Sequence, residues 1–96
     1  MTPETRVKNK IRKLLDKRRG HLYYYMVVPF GFGATTVDFL GCYRGAFFAI
    51  EAKAPGGKLT ARQEDVLDRV VQAGGTVFVI VGDDGLDALE RWLSCS

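Results

Sequence analysis

The sequence contains one histidine, His21, and only two cysteines, Cys42 and Cys95. A histidine zinc site or a Ser-His-Asp triad needs partners that His21 does not have, so we interpret it as a loop or strand-start residue. Two widely separated cysteines exclude a disulfide framework and a cysteine metal cluster. No apolar run is long enough to cross a bilayer. Because no signal peptide is recognisable either, we expect a cytoplasmic protein that is neither secreted nor bound in a membrane.

The composition is typical of one soluble domain. Ninety-six residues are enough for a single core but not for a separate recognition domain, so we expect one domain over residues 1–96. Hydrophobic residues make up 47% of the chain and charged residues 26%, which is ordinary for a globular protein. Any ligand must then be recognised by this domain or by a second copy of it.

Charge is distributed unevenly along the chain. Residues 1–20 hold eight Lys and Arg against two acids, a net charge of +6, whereas the remaining residues hold six against nine, a net charge of −3. A basic segment favours a polyanion such as DNA and predicts salt-dependent binding, although a solvated helix face has the same pattern. The basic residues that we predict to contact DNA are Arg6, Lys8, Lys10, Lys13, Lys58 and Arg62.

The first part of the chain predicts a helix followed by strands. Thr2 and Pro3 form a helix start, apolar residues then recur at helical spacing, and Gly20 follows the helix. Residues 22–28 are rich in tyrosine and valine and predict a strand. The two glycines of residues 30–36 predict a loop, which lacks the spacing of a phosphate-binding loop.

The rest of the chain predicts helix, strand and helix. Thr60 and Gln63 have the form of a capping box, and a Gly-Gly pair ends the helix that they open. Residues 76–81 are continuously apolar, as expected for a central strand buried on both faces, and a last helix begins near Asp84. The long connection before residue 76 allows a right-handed parallel crossover. We therefore predict an α/β domain, α-β-β-β-α-β-α, with a mixed sheet flanked by helices.

Three charged residues lie in the two strongly apolar runs of residues 38–53. Side chains alternate between the faces of a strand, so Glu51 and Lys53 share one face. Half-buried strands rarely hold a charge without a partner or an ion. We interpret Asp38, Glu51 and Lys53 as a metal-dependent site; the alternative is a surface pair of Glu51 and Lys53, with Asp38 as a turn cap.

The turn between these two runs decides where Asp38 lies. A two-residue loop at Arg44-Gly45 places Asp38 opposite Glu51, and a loop one residue earlier makes them diagonal neighbours. In both cases the Cβ atoms are about 5 to 8 Å apart, close enough for two carboxylates to bind one Mg2+ or Mn2+ ion. A three-residue loop would turn Asp38 to the other face. Without a cation, one of two close carboxylates would be pushed toward protonation.

The order of these residues resembles the PD-(D/E)xK nuclease superfamily, in which an acid of the first helix precedes an acid, an acid-x-Lys strand and a helix start, here Glu4, Asp38, Glu51, Lys53 and Gln63. The chain is most similar to the virus-type replication-repair nuclease (VRR-NUC) family, whose small stand-alone members occur in phages and bacteria. The similarity covers essentially the whole chain. Val37 stands where the superfamily's name has a proline, a residue that is often absent in the superfamily.

The family resemblance implies a restriction-endonuclease-like core that hydrolyses phosphodiester bonds with Mg2+ or Mn2+. For stand-alone members it implies homodimers that act on branched DNA such as Holliday junctions, in replication, recombination or repair. It also implies a bacterial or phage-infected cell as the location. Alternatives are a flap or restriction-type nuclease with another substrate, and a non-catalytic DNA-binding module of the same fold.

The resemblance assigns a role to each residue of the acid-x-Lys site. Asp38 and Glu51 would be the principal metal ligands, with the backbone carbonyl of Ala52 as a third ligand. Lys53 would orient or deprotonate the attacking water and stabilise the developing charge.

Two further residues have alternative interpretations. Glu4 lies on the core-facing stripe of its helix and could hold a second metal or a metal-bound water, but any acid in a first turn also favours the helix dipole. Gln63 could brace Lys53 or contact phosphate, or it could only cap its helix. For the homodimer, the interface candidates are the aromatic strand at residues 23–26 and the loop residues Phe30 and Phe32.

Overall fold

Three helices and a four-stranded sheet form in the predicted order, and the computed structural model describes residues 1–28 and 37–94. The elements are α1 (Pro3–Asp16), β1 (Leu22–Met26), β2 (Phe39–Tyr43), β3 (Ala46–Lys53), α2 (Ala61–Gln72), β4 (Thr76–Val81) and α3 (Leu86–Ser94). The predicted α/β class and element order are confirmed. None of the helices in the described part of the chain is long and apolar enough to cross a membrane.

The sheet is mixed, and its strands lie in the order β1-β2-β3-β4. Both pairs that involve β2 are antiparallel, while β3 and β4 are parallel. Arg44 and Gly45 form the loop between β2 and β3, with φ of 50° and 88°, and Tyr43 pairs with Ala46. Two positive φ angles indicate the type of tight turn that matches the twist of a hairpin. The first of the registers considered from the sequence is therefore the correct one.

Helices cover both faces of the sheet. α1 and α3 share one face with the larger core, which includes Ile11, Leu15, Phe39, Phe48, Ile50, Leu89 and Leu93. On that face Trp92 of α3 contacts the rings of Tyr43, Phe48 and Phe78, so one side chain joins three strands. α2 covers the other face, where Leu67 packs with Val37 and Ala49. As a result, β3 is buried on both faces from Phe48 to Ala52.

The position of β4 differs from the prediction of a central strand. β4 lies at the edge of the sheet, and among the described strands it pairs only with β3. Its apolar run has another cause: Val77 and Val79 pack with the core on the α2 side, and Phe78 and Ile80 pack with the core on the α1 and α3 side. A continuous apolar run thus shows that both faces of a strand are covered, not that the strand has two neighbours.

Gly41 marks a close approach within the sheet. It pairs with Phe48, and a Cβ atom at Gly41 would lie 2.6 Å from Cζ of Phe48 and would also meet the backbone oxygen of Tyr23. We expect Gly41→Ala to lower the free energy of unfolding by about 1 to 3 kcal/mol, because neither the buried ring nor the strand can move aside without strain. Urea unfolding measures this change. The neighbouring exposed Cys42 is the control, since Cys42→Ala should stay within about 0.5 kcal/mol.

Candidate metal-binding site

Asp38, Glu51 and Lys53 lie together where β2 begins and β3 ends. Asp38 directly precedes β2, and its amide donates to the carbonyl of Ile50 at 3.1 Å. Oδ2 of Asp38 accepts a hydrogen bond from the amide of Ala52 at 2.8 Å, which fixes the carboxylate beside the acid-x-Lys strand. Nζ of Lys53 lies 3.5 Å from Oε2 of Glu51. The hairpin register therefore brings the three predicted residues into one cluster.

The backbone of Ala52 also belongs to this cluster. The N–H and C=O groups of one strand residue point to the same side of the strand. Because the Ala52 amide donates to Asp38, the Ala52 carbonyl lies on the side of the strand that faces Asp38. This placement is compatible with the predicted ligand role of the carbonyl, which stays a prediction.

Glu51 is the most deeply buried charged residue in the described part of the chain, with 3% of its surface exposed. Burial, followed by the nearby charge of Asp38, raises the pKa of Glu51 to about 7, and the opposing effect of Lys53 is smaller. The positive charge supplied by the protein is thus too small to keep both carboxyl groups fully ionised at neutral pH. An added cation at this position would remove the conflict.

Lys8 of α1 approaches the same cluster from the helix. Its Nζ lies 3.3 Å from Oε2 of Glu4 and 3.4 Å from Oδ1 of Asp38. Burial lowers the pKa of Lys8, but Asp38 and Glu4 together raise it by more, so the ammonium group stays charged. Lys8 was predicted to contact DNA, and its position between Glu4 and Asp38 was not predicted. The sequence feature that could have predicted this position is the i+4 spacing of Lys8 from Glu4, because Glu4 lies on the core-facing stripe of the same helix.

Glu4 contacts Lys8 and is half-exposed. Within residues 1–28 and 37–94, no group of three His, Cys, Asp or Glu side chains is arranged to hold a metal ion, so Glu4 does not form a three-carboxylate site with Asp38 and Glu51. The predicted donor set is therefore two carboxylates, Asp38 and Glu51, and one carbonyl, Ala52. Mg2+ usually keeps several waters and binds through one or two carboxylates, so this donor set fits such an ion.

Gln63 of α2 has two functions at once. Its Oε1 accepts from the amide of Thr60 at 2.9 Å, and the Thr60 hydroxyl accepts from the Gln63 amide, which confirms the capping box. Its Nε2 donates to Oε2 of Glu51 at 2.9 Å. Gln63 was also considered as a residue that braces Lys53. Among the described hydrogen bonds none joins these two residues, and the side chain of Gln63 contacts Glu51 instead. The start of α2 thereby fixes the buried carboxylate.

The other predicted DNA contacts lie on the protein surface. Lys10 forms an ion pair with Asp83. The remaining ones are exposed, on α1 or next to the start of α2, namely Arg6, Lys13, Lys58 and Arg62. Their contact with DNA stays a prediction.

Comparison with protein-family models finds no match for the chain, and comparison with curated proteins finds none either. The interpretation of the cluster therefore depends on its own geometry and on the order of its residues. The geometry brings two carboxylates and a lysine together at the end of β3, and the order of these residues along the chain is the one on which the family resemblance is based.

Proposed function

We propose that the protein is a metal-dependent DNA endonuclease that hydrolyses phosphodiester bonds at the cluster of Asp38, Glu51 and Lys53. The observation that carries this proposal is the pairing of a buried carboxyl, whose pKa is raised to about 7, with a second carboxylate and a lysine 3.5 Å away. Burying a charged group in this way is costly, and groups whose pKa is shifted by burial and a neighbouring charge cluster at functional sites.

Each residue of the cluster has a defined task in this reaction. A bound Mg2+ or Mn2+ ion would supply Lewis acidity toward the phosphate and toward water. Asp38 and Glu51 would hold it together with the carbonyl of Ala52. Lys53 would orient the attacking water and stabilise the charge that develops on the phosphate. Gln63 keeps the Glu51 carboxylate in place through its 2.9 Å hydrogen bond.

We extend the proposal to branched DNA such as a four-way junction. The net charge of +6 in residues 1–20, which hold eight basic and two acidic residues, supports a DNA substrate. The expected preference for branched DNA is supported by the family resemblance.

The test of this function is a cleavage assay on labelled four-way junction, 5′ flap, splayed arm and linear duplex, each with Mg2+, Mn2+ or EDTA. We expect cleavage of the junction with either metal and no cleavage in EDTA. A protein that cuts none of these DNAs would refute the nuclease. If only the flap or the duplex is cleaved, the nuclease function is supported and the preference for a four-way junction is refuted.

We also expect a symmetric homodimer. One domain carries one such cluster, whereas paired cuts at a junction need two clusters in a fixed relation. Light scattering at micromolar concentration should give about twice the 10.7 kDa mass of one chain. A monomer that still makes paired, symmetric nicks would contradict this expectation.

The predicted interface residues fall into three groups. Tyr23 and Tyr25 are exposed, while Tyr24 and Met26 pack against the core. Phe30 and Phe32 lie outside the described residues. Exposure alone therefore leaves Tyr23 and Tyr25 available to another molecule.

A non-catalytic DNA-binding module is the second candidate function. The observation in its favour is that Lys8 and Lys53 already pair with the carboxylates of Asp38 and Glu51. Such a module would bind DNA equally well in EDTA and in Mg2+, and it would cleave none of the four substrates.

A further inference from the structure

The outer edge of β1 forms a groove with the end of α1. Among the described strands, β1 pairs only with β2, so its other edge faces this groove. The groove has a volume of about 430 Å3. Its walls are β1 on one side and Arg12, Leu15, Asp16 and Arg19 on the other, and we call it the β1 groove.

The charge of the β1 groove is positive. Two arginines and one acid line it, and the Asp16 carboxylate already accepts a hydrogen bond from the hydroxyl of Tyr24 at 2.8 Å. The segment 12–19, which contributes this wall, holds five basic residues and one acid, of which Arg12, Arg19 and Asp16 line the groove. A groove of this kind attracts a polyanion.

Two exposed aromatic rings lie along the same strand. Tyr23 is 73% exposed and Tyr25 is 51% exposed. They occupy alternate positions of β1 and share the face of the sheet opposite to α1, because Tyr24 between them packs its ring against Phe39 on the α1 side. They therefore border the groove from across the β1 edge. Exposed tyrosines beside a basic groove can stack with nucleobases of any sequence.

We propose that the β1 groove binds single-stranded nucleic acid, with phosphates against Arg12 and Arg19 and bases stacked on Tyr23 and Tyr25. A positively charged groove flanked by aromatic side chains is the combination used by proteins that bind single strands without sequence preference. Binding here requires neither a metal ion nor cleavage, so the proposal goes beyond the nuclease function and does not depend on it.

The β1 groove also leads toward the metal-binding cluster. Met26, at the end of β1, pairs with Phe39, and the amide of Val27 donates to the carbonyl of Asp38 at 2.9 Å. A single nucleic-acid strand bound along β1 would therefore end beside Asp38. In a 5′ flap or splayed-arm substrate, the unpaired arm would then lie in the groove and the adjoining phosphodiester near the cluster.

A second copy of the chain is the competing occupant, since an open strand edge can pair with its own copy. Symmetric pairing of two β1 edges would bring the two basic 12–19 segments close to each other. Like charges at such a contact oppose association. Charge therefore favours a polyanion over a second copy at this edge, which argues against Tyr23 and Tyr25 as the interface of the expected homodimer.

Fluorescence anisotropy with a labelled oligothymidine of about 12 nucleotides, measured in EDTA, tests this binding. Tyr23→Ala and Tyr25→Ala should each weaken binding about ten-fold, which corresponds to about 1.4 kcal/mol. Arg12→Ala and Arg19→Ala should each reduce the slope of log K against log salt by about 0.7. Phe47→Ala and Arg91→Ala, which change an exposed aromatic and an exposed arginine outside the groove, are matched controls and should leave both quantities unchanged.

One result would overturn the proposal: unchanged oligothymidine affinity in a Tyr23→Ala/Tyr25→Ala double variant whose circular dichroism shows a folded protein. If that variant also changes from dimer to monomer in light scattering, the β1 edge is a self-interface. Since EDTA prevents metal-dependent cleavage, this result leaves the nuclease proposal to be judged by the cleavage assay.

Discussion

Lys53→Ala should lower the rate of DNA cleavage at saturating Mg2+ by about 100-fold to 10,000-fold, the range expected when a general base or an electrostatic stabiliser is removed. The ammonium group of Lys53 lies 3.5 Å from Oε2 of Glu51, and we propose that it orients the attacking water. Asp38→Ala and Glu51→Ala should abolish cleavage as well, because each removes half of the carboxylate pair. DNA affinity in all three variants should change little, since the basic surface residues are intact.

The measurement is single-turnover cleavage of the preferred DNA, together with its dissociation constant in EDTA. Lys58→Ala is the matched control, because this lysine is exposed and we predict it to contact DNA rather than the reacting phosphate. It should weaken binding and leave the rate of the bound complex unchanged. If the Lys53→Ala protein cleaves at the wild-type rate, Lys53 takes no part in the chemical step.

Glu51→Gln should stabilise the metal-free protein at pH 8 by about 3 kcal/mol. The pKa of Glu51 is raised from its ordinary value of 4.5 to about 7 in the folded state. The folded state therefore binds the Glu51 proton more tightly than the unfolded chain, and the free energy of unfolding falls as the pH rises from about 4.5 to about 7. Each pKa unit corresponds to about 1.4 kcal/mol, and the full loss is present above pH 7.

Urea unfolding of wild type and Glu51→Gln in EDTA at pH 5 and pH 8 measures this difference. Glutamine keeps an oxygen that can accept from Gln63, so the variant loses the charge and retains the contact. The two proteins should differ little at pH 5 and strongly at pH 8. Glu90→Gln, at an exposed position of α3, is the control and should not change with pH. An equal difference at both pH values would show that Glu51 is not the titrating group.

The sequence predicted the parts of the fold that depend on local pattern. Alternation along the acid-x-Lys strand put Glu51 and Lys53 on one face. The sequence left the loop between β2 and β3 open, and the structure selects the register with Arg44-Gly45 as the loop, which brings Asp38 beside that strand. The capping box at Thr60 and Gln63 was predicted from residue types alone, because its hydrogen bonds join residues three apart.

Other features depend on contacts between distant segments, which a single sequence does not contain. The edge position of β4 follows from how strands pair, and its apolar run was consistent with either position. The second hydrogen bond of Gln63, to Glu51, joins α2 to β3. The position of Lys8 between Glu4 and Asp38 depends on how α1 packs against the sheet, so spacing along the helix could only suggest it.

A calorimetric titration of Mn2+ or Mg2+ into the metal-free protein tests most directly whether the carboxylate cluster is a metal site. We expect binding by the wild type that is lost in Glu51→Gln and in Asp38→Asn and is retained in the Glu90→Gln control. The metal should also raise the stability of the wild type by about 2.7 kcal/mol at a concentration 100 times the dissociation constant. No heat of binding, or the same heat in wild type and Glu51→Gln, would contradict the metal-dependent nuclease and favour the DNA-binding module.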